Sequence, residues 1–306
     1  MLSSFKDIPF RENWKVISEI KKGWSNDKKY YIETKDNEKL LLRTSDIKLY
    51  ESKRKEFEFI KIVNALDFQM SKALYFGKDI KDSYVYMILN WIDGKTLYET
   101  LPHLSEKKQY LLGIEAGHIL KKIHSIPVEE KDIPPNKDKY HLWKLENFEK
   151  GSNRVKNDSK VLKYVRNNID LVNSSPAVYL HGDFHVGNLI LTPDEHIGVI
   201  DFNRYSCGNR YEEFFKLQSF SMEISIPFSI GQIHGYFKDE PSHVFWKNFS
   251  FYCALSSLIS IAWAENFDDN EINGMKNRYY ETYKHFDGFE KIIPSWYITK
   301  KRLNTI

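Results

Sequence analysis

Residues 178–202 read VYLHGDFHVGNLILTPDEHIGVIDF, and this stretch concentrates the side chains that can do chemistry. His181, Asp183 and Asn188 follow a short apolar run, 178–180. An apolar strand over 189–191, a turn at Pro193-Asp194-Glu195 and a returning strand over 197–200 come next, and Asp201 ends the unit. A hairpin folded at Pro193-Asp194 sets the start of its first strand beside the end of its second. Asn188 opens the hairpin and Asp201 closes it, so their side chains approach one another. Asp183 lies five residues before Asn188, in the loop that feeds the hairpin. Oxygen ligands of this kind suit Mg²⁺, which takes one or two protein carboxylates and fills its shell with substrate phosphates.

Such a loop needs a scaffold. Runs at 14–20, 29–34 and 39–44 have the alternation and β-branched or aromatic content of strands, with polar turns at 22–27 and 35–38 between them. Phe57, Ile60, Val63 and Leu66 recur at helical spacing within 47–66. Strands follow at 73–76 and 84–89; the second, YVYMIL, is apolar throughout and suits burial on both faces. After Asn90-Trp91-Ile92-Asp93-Gly94 the pattern turns mostly helical, notably at 107–124 and 161–172 and again from Asn209 onward. The expected division is therefore residues 1–90 and 91–306.

HGDFHVGN followed by IDF resembles the catalytic and metal-binding loops of the protein-kinase-like fold, H-R-D-x-x-x-x-N and then D-F-G. With Gly182 between His181 and Asp183, it is most similar to the aminoglycoside phosphotransferase family, whose relatives also phosphorylate choline, homoserine and macrolides. The resemblance runs from about Trp14 to Phe215. It implies an α+β, two-lobed protein-kinase-like fold with a small antiparallel-sheet amino lobe and a larger, mostly helical carboxyl lobe, the nucleotide lying between them. It implies Asp183 as the catalytic Asp, Asn188 and Asp201 as Mg²⁺ ligands, and His181 as a brace for the loop. In the amino lobe it implies a nucleotide loop at Gly23, Ser25 and Asn26 and a phosphate-contacting cation at Arg43, where the family usually has Lys. A helix Glu should hold that cation; Glu56 is the choice and Glu58 the competitor. Asn90–Ile92 is the expected hinge, meeting the purine edge with its backbone. ATP and GTP are equally compatible with these residues.

Asn203 stands where the fold's Gly would be, and is expected to keep the turn through its tolerance of positive φ. Gly182 in place of Arg, and no A-P-E after Asp201, argue for a small-molecule kinase rather than one switched by phosphorylation. For a cationic acceptor, carboxylates in the helical half are the candidates: Glu212, Glu213, Glu265, Asp268, Asp269 and Glu271, four of them in WAENFDDNE. Trp263 is expected in the core.

The implied function is Mg²⁺-dependent transfer of a nucleotide γ-phosphoryl group to a hydroxyl, with an aminoglycoside as the first acceptor to consider. A metabolic kinase for an amino alcohol, sugar or similar acceptor is the alternative, and a nucleotide-binding module with little transfer activity is the third reading. Composition agrees. Across 306 residues, 45 Lys and Arg against 42 Asp and Glu leave a charge of +3, which excludes nucleic-acid binding through bulk charge. Aromatics at 15% exclude a disordered chain. Two cysteines, Cys207 and Cys253, cannot frame a disulfide scaffold and are expected as reduced thiols. The uncharged run 249–264 is shorter than the ~20 residues a membrane-spanning helix needs and carries four serines, so it reads as a buried helix. No secretory signal is recognised at the amino terminus. A cytoplasmic monomer with no membrane or nucleic-acid partner is expected.

Overall fold

The computed structural model describes residues 5–21, 27–81, 83–238 and 240–299. Gly23, Ser25 and Asn26, the expected nucleotide loop, lie outside the described residues. By contacts the chain divides into two units, Met1–Lys95 with Leu189–Asn203 and Thr96–Asn188 with Arg204–Ile306.

In the first unit β1 (Trp14–Ile20), β2 (Lys28–Thr34) and β3 (Lys39–Asp46) form the expected meander. Helix α1 (Tyr50–Val63), β4 (Gln69–Met70), β5 (Ala73–Lys78) and β6 (Tyr84–Asn90) follow. The antiparallel sheet has the order β1-β2-β3-β6-β5. Ile8, Trp14, Ile32, Leu42, Tyr86 and Ile88 form a core on one side. The other side takes α1, whose Phe57 stacks on Phe76 of β5 at 5.4 Å. Strand β6, between β3 and β5, buries Val85 through Leu89 continuously, because a strand covered on both faces has no solvent side on which to place polar residues.

The hairpin of β9 (Leu189–Leu191) and β10 (Ile197–Val199) pairs Leu189 with Val199 and Leu191 with Ile197. Glu195 takes positive φ in its turn, where Thr192 N–H meets the His196 carbonyl at 3.0 Å. The 1–90 and 91–306 division placed this hairpin with the carboxyl part. It groups instead with the first unit, because β10 runs parallel to β4, Gly198 beside Gln69 and Val199 beside Met70. The two-residue β7 (Lys95–Thr96) edges the same sheet.

The second unit is helical: α2 (Leu97–Thr100), α3 (Glu106–Ile123), α4 (Lys137–Lys150), α5 (Asp158–Asn167), α6 (Ile226–Tyr236), α7 (His243–Ala264) and α8 (Asp269–His285). Helices α3 and α6 cross at backbone contact. A Cβ added to Gly117 would come within 2.3 Å of the Gln232 carbonyl, and one added to Gly235 within 2.1 Å of that of Ile114. The uncharged run lies in α7, whose residues from Phe245 to Leu258 are almost all buried, as expected of a core helix. Among the described residues no helix is long and apolar enough to cross a membrane. Cys207 and Cys253 are buried and unbridged. A two-strand ladder, β8 (Ala177–Leu180) with β11 (Ser206–Asn209), delivers the chain to His181.

Candidate active site

The loop after β8 is shaped by its own backbone. Gly182 has φ 81°, and a Cβ there would fall 1.9 Å from the Arg204 carbonyl. Glycine at this position therefore answers both a left-handed conformation and a close approach. His181 is fully buried; its Nδ1 accepts the Asp183 N–H at 3.2 Å, and its ring meets Phe184 edge-on. It braces the loop.

Beneath the loop lies Glu213. Its Oε2 accepts the Gly182 N–H at 3.1 Å and its Oε1 the Phe184 N–H at 3.2 Å. This corrects the expectation that Glu213 lines a substrate pocket: the side chain is 3% exposed and both oxygens are taken by backbone. Burial pushes its carboxyl up to about 7, against the opposing effect of those two amides. Below about pH 7 the group therefore gains a proton, and a neutral acid is a poorer double acceptor than a carboxylate. Glu213→Gln is expected to lower turnover about tenfold and to flatten the part of the acid limb that lies near pH 7. A pH profile of kcat for both proteins checks this, and an unchanged acid limb in the variant would refute it.

The Asp183 carboxylate sits among donors. Lys216 Nζ is 2.5 Å from Oδ1 and His185 Nε2 is 3.5 Å from it; Asn188 Nδ2 is 3.2 Å from Oδ2 and Arg204 Nε 4.0 Å. The His185 tautomer follows from its other nitrogen, since Nδ1 accepts the Gly187 N–H at 3.1 Å and Nε2 must carry the proton that faces Asp183. Burial would raise the Asp183 pKa. The His185 hydrogen bond and the Lys216 charge outweigh it and hold the carboxyl far below the usual carboxylate range. Lys216 is itself buried between the rings of Phe215 and Phe220, at 5.0 and 4.9 Å, just before a π-helical turn at Leu217–Ser221. Asn188 also donates to the Asp183 carbonyl at 3.0 Å. With its N–H groups directed to Asp183, the atom it can offer a cation is the carboxamide oxygen.

In the first unit, Arg43 of β3 is 3% exposed. Its Nη1 donates to Glu56 Oε1 at 2.5 Å and its Nη2 to Asp27. Glu58 pairs instead with Lys61 on the exposed side of α1, so Glu56 is the partner. Asp27 also accepts from Lys53 and Ser45, each at 2.6 Å, and Lys53 reaches Glu56 Oε2 at 3.1 Å. Burial would raise the Asp27 pKa; the Arg43 charge and these hydrogen bonds bring it to about 2. Asp201 itself takes the left-handed conformation, φ 67°. The expectation that Asn203 would supply it is corrected: Asn203 lies in a short 3₁₀ turn, Phe202–Arg204. Lys29 Nζ is 3.1 Å from Asp201 Oδ2.

Asn90 uses its side chain locally, accepting the Lys72 N–H and donating to the Trp91 carbonyl at 3.2 Å. Ile92 lies over Gly198 of β10, where an added Cβ would meet its Cγ2 at 2.7 Å. Glu265, exposed at the end of α7, accepts from Asn153 at 2.8 Å. Asp268 caps α8 by accepting the Asn270 and Glu271 N–H groups at 3.0 and 3.1 Å, so its carboxylate is committed to the helix terminus. Trp263, expected in the core, is half-buried, with Arg204 5.7 Å from its ring centroid.

A profile of the phosphotransferase enzyme family matches residues 16–246. The chain belongs to that family. No curated protein matches it by sequence. Among solved structures, the GDP complex of aminoglycoside 2'-phosphotransferase-IIIa is 13% identical, with a TM-score of 0.69 over 92% of this chain and 95% of that one. The gentamicin complex of APH(2")-IIa is 18% identical, with a TM-score of 0.65 over 88% and 92%. Amicoumacin kinase hAmiN, bound to AMP-PNP, Ca²⁺ and Ami, is 13% identical, with a TM-score of 0.65 over 91% and 90%. This phosphotransferase therefore has the kinase-like fold, its sheet in the amino-terminal region and its helices in the carboxyl-terminal one. Sequence reasoning missed its Lys216, His185, Arg204, Lys29 and Asp27. For Lys29 a signal existed. A turn over 35–38 pairs residues of β2 and β3 in a fixed register, and that register sets Lys29 opposite Arg43.

Proposed function

We propose that this phosphotransferase moves the γ-phosphoryl group of ATP or GTP to a hydroxyl of a small molecule, with Asp183 facing that hydroxyl. The observation that carries this reading is the Asp183 carboxylate itself, kept anionic by Lys216 and His185 on a loop that Glu213 braces. An acid this strong is a weak base. Asp183 therefore orients the hydroxyl and accepts its proton only as the phosphoryl group arrives, which suits a loose transition state.

Asp201 and Asn188 are the proposed Mg²⁺ ligands, one carboxylate and one carboxamide. The donor chemistry fits: a carboxylate and a carboxamide oxygen are hard ligands, and Mg²⁺ completes its shell with phosphate oxygens and water. Asp201 already attracts a cation, the Lys29 ammonium. When bound, the ion neutralises charge on the β- and γ-phosphate oxygens. The backbone of Asn90–Ile92 is the proposed purine contact.

An aminoglycoside is the first acceptor reading, supported by the family and by the likeness to kinases solved with gentamicin and with streptomycin and ATP. A second reading, a metabolic kinase with a neutral or zwitterionic acceptor such as a sugar or homoserine, is favoured by Lys216, His185 and Arg204 around Asp183 and by the commitment of Glu213 and Asp268 elsewhere. Turnover of Mg-ATP and Mg-GTP against aminoglycosides, choline, homoserine and simple sugars tests both readings. Stimulation by one class is expected. Tight nucleotide binding with no stimulation by any acceptor would overturn transfer in favour of a nucleotide-binding module.

A further inference from the structure

The cation expected on β3 is enclosed. Both terminal nitrogens of Arg43 are held by carboxylates, Glu56 and Asp27, and both carboxylates also hold Lys53. Two positive and two negative groups meet in this quartet, and each terminal nitrogen of Arg43 is engaged by one of its carboxylates. Directly across the ladder stands Lys29: β2 and β3 pair Lys29 with Arg43, and opposed residues of an antiparallel pair share a face of the sheet. Its side chain is 15% exposed and its ammonium reaches Asp201 Oδ2 at 3.1 Å. A flexible four-carbon stem ending in three donors suits phosphate as a point charge, whereas Arg43 is fixed by its fork.

We propose that Lys29 is the phosphate-binding cation of this chain, and that Arg43 is a positioning residue that anchors α1 and the start of β2. The phosphate role thus lies one strand over from the position the sequence pattern assigns to it, with Lys29 and Asp201 serving as each other's counter-charge. The proposal rests on the nucleotide-dependent reading of the site.

The test compares binding of ADP and of adenosine by calorimetry, with Mg²⁺ present, since the ratio of the two affinities isolates the phosphate contribution. In wild type ADP is expected to bind more tightly than adenosine. Lys29→Met is expected to weaken ADP about ten- to hundred-fold, the scale of one charge-assisted contact, and to leave adenosine within about twofold. Lys29→Arg should recover most of the difference. Arg43→Lys should lower the melting temperature while leaving the ADP-to-adenosine ratio unchanged. A wild-type ratio retained in Lys29→Met, or a ratio that collapses in Arg43→Lys, would overturn the assignment. A wild-type chain that binds neither ligand would overturn the nucleotide reading and this proposal with it.

Discussion

Asp183→Asn is expected to lower kcat about 10²- to 10⁴-fold while leaving nucleotide affinity within about twofold. The substitution preserves shape and removes charge. An asparagine there still meets Asn188 and Lys216, but it cannot accept the hydroxyl proton, and a neutral amide holds the acceptor oxygen more weakly than an anion does. A secondary effect follows from burial: Lys216, which is 7% exposed, loses the carboxylate that neutralises it. A fall in melting temperature should therefore accompany the loss of rate. Single-turnover kinetics beside nucleotide titration separates the two. Unchanged turnover would remove Asp183 from the chemistry.

Arg43→Leu is expected to destabilise the first unit by about 3–5 kcal/mol, the usual cost of removing one partner from a buried ion pair. Asp27 and Glu56 would then lose the guanidinium that bridges them, with Lys53 still between them. Arg43→Lys restores the charge without a fork that can reach both carboxylates, so it should recover part of the loss. Acid unfolding gives an independent check. The folded pKa of Asp27 is depressed to about 2 from 3.8, so its contribution to stability is present above about pH 4 and is lost as the pH falls toward 2. In Arg43→Leu that pKa rises and acid sensitivity begins at higher pH. Glu213 runs the other way. Its raised pKa favours the folded state fully below its ordinary value of 4.5, and that contribution is lost as the pH rises through about 7. A loss under 1 kcal/mol in Arg43→Leu would mean that the quartet adds little to stability.

The hairpin was legible because local signals agreed: a turn at Pro193-Asp194, apolar strands on both sides and polar residues at both ends. Glu56 was the choice from sequence, but helical phase left Glu58 open, and the structure decides between them. Glu56, Ile60 and Val63 fall at i, i+4 and i+7 on the buried face of α1, while Glu58 lies on the face with exposed Ile62, whose apolar side chain blurred the pattern. Asp268 with Glu271 has the D-x-x-E spacing of a helix start, and the acidic composition of the segment masked it. Other features had no local signal. The two residues of β4 that draw the hairpin into the first unit are too few for periodicity. Glu213 and Lys216 reach the Asp183 loop from about thirty residues away, the first from a short 3₁₀ turn, Glu212–Phe214, and the second from the residue before a π-helical turn, and no pattern of apolar residues announces either.

The central claim is transfer, and following a labelled γ-phosphoryl group tests it most directly. Incubated with γ-labelled ATP or GTP, Mg²⁺ and the acceptor that stimulates turnover, the wild-type chain should pass the label to an acceptor hydroxyl, and Asp183→Asn should pass about 10²-fold less or lower still. Label recovered only as inorganic phosphate, or passed equally well by the variant, would contradict the account.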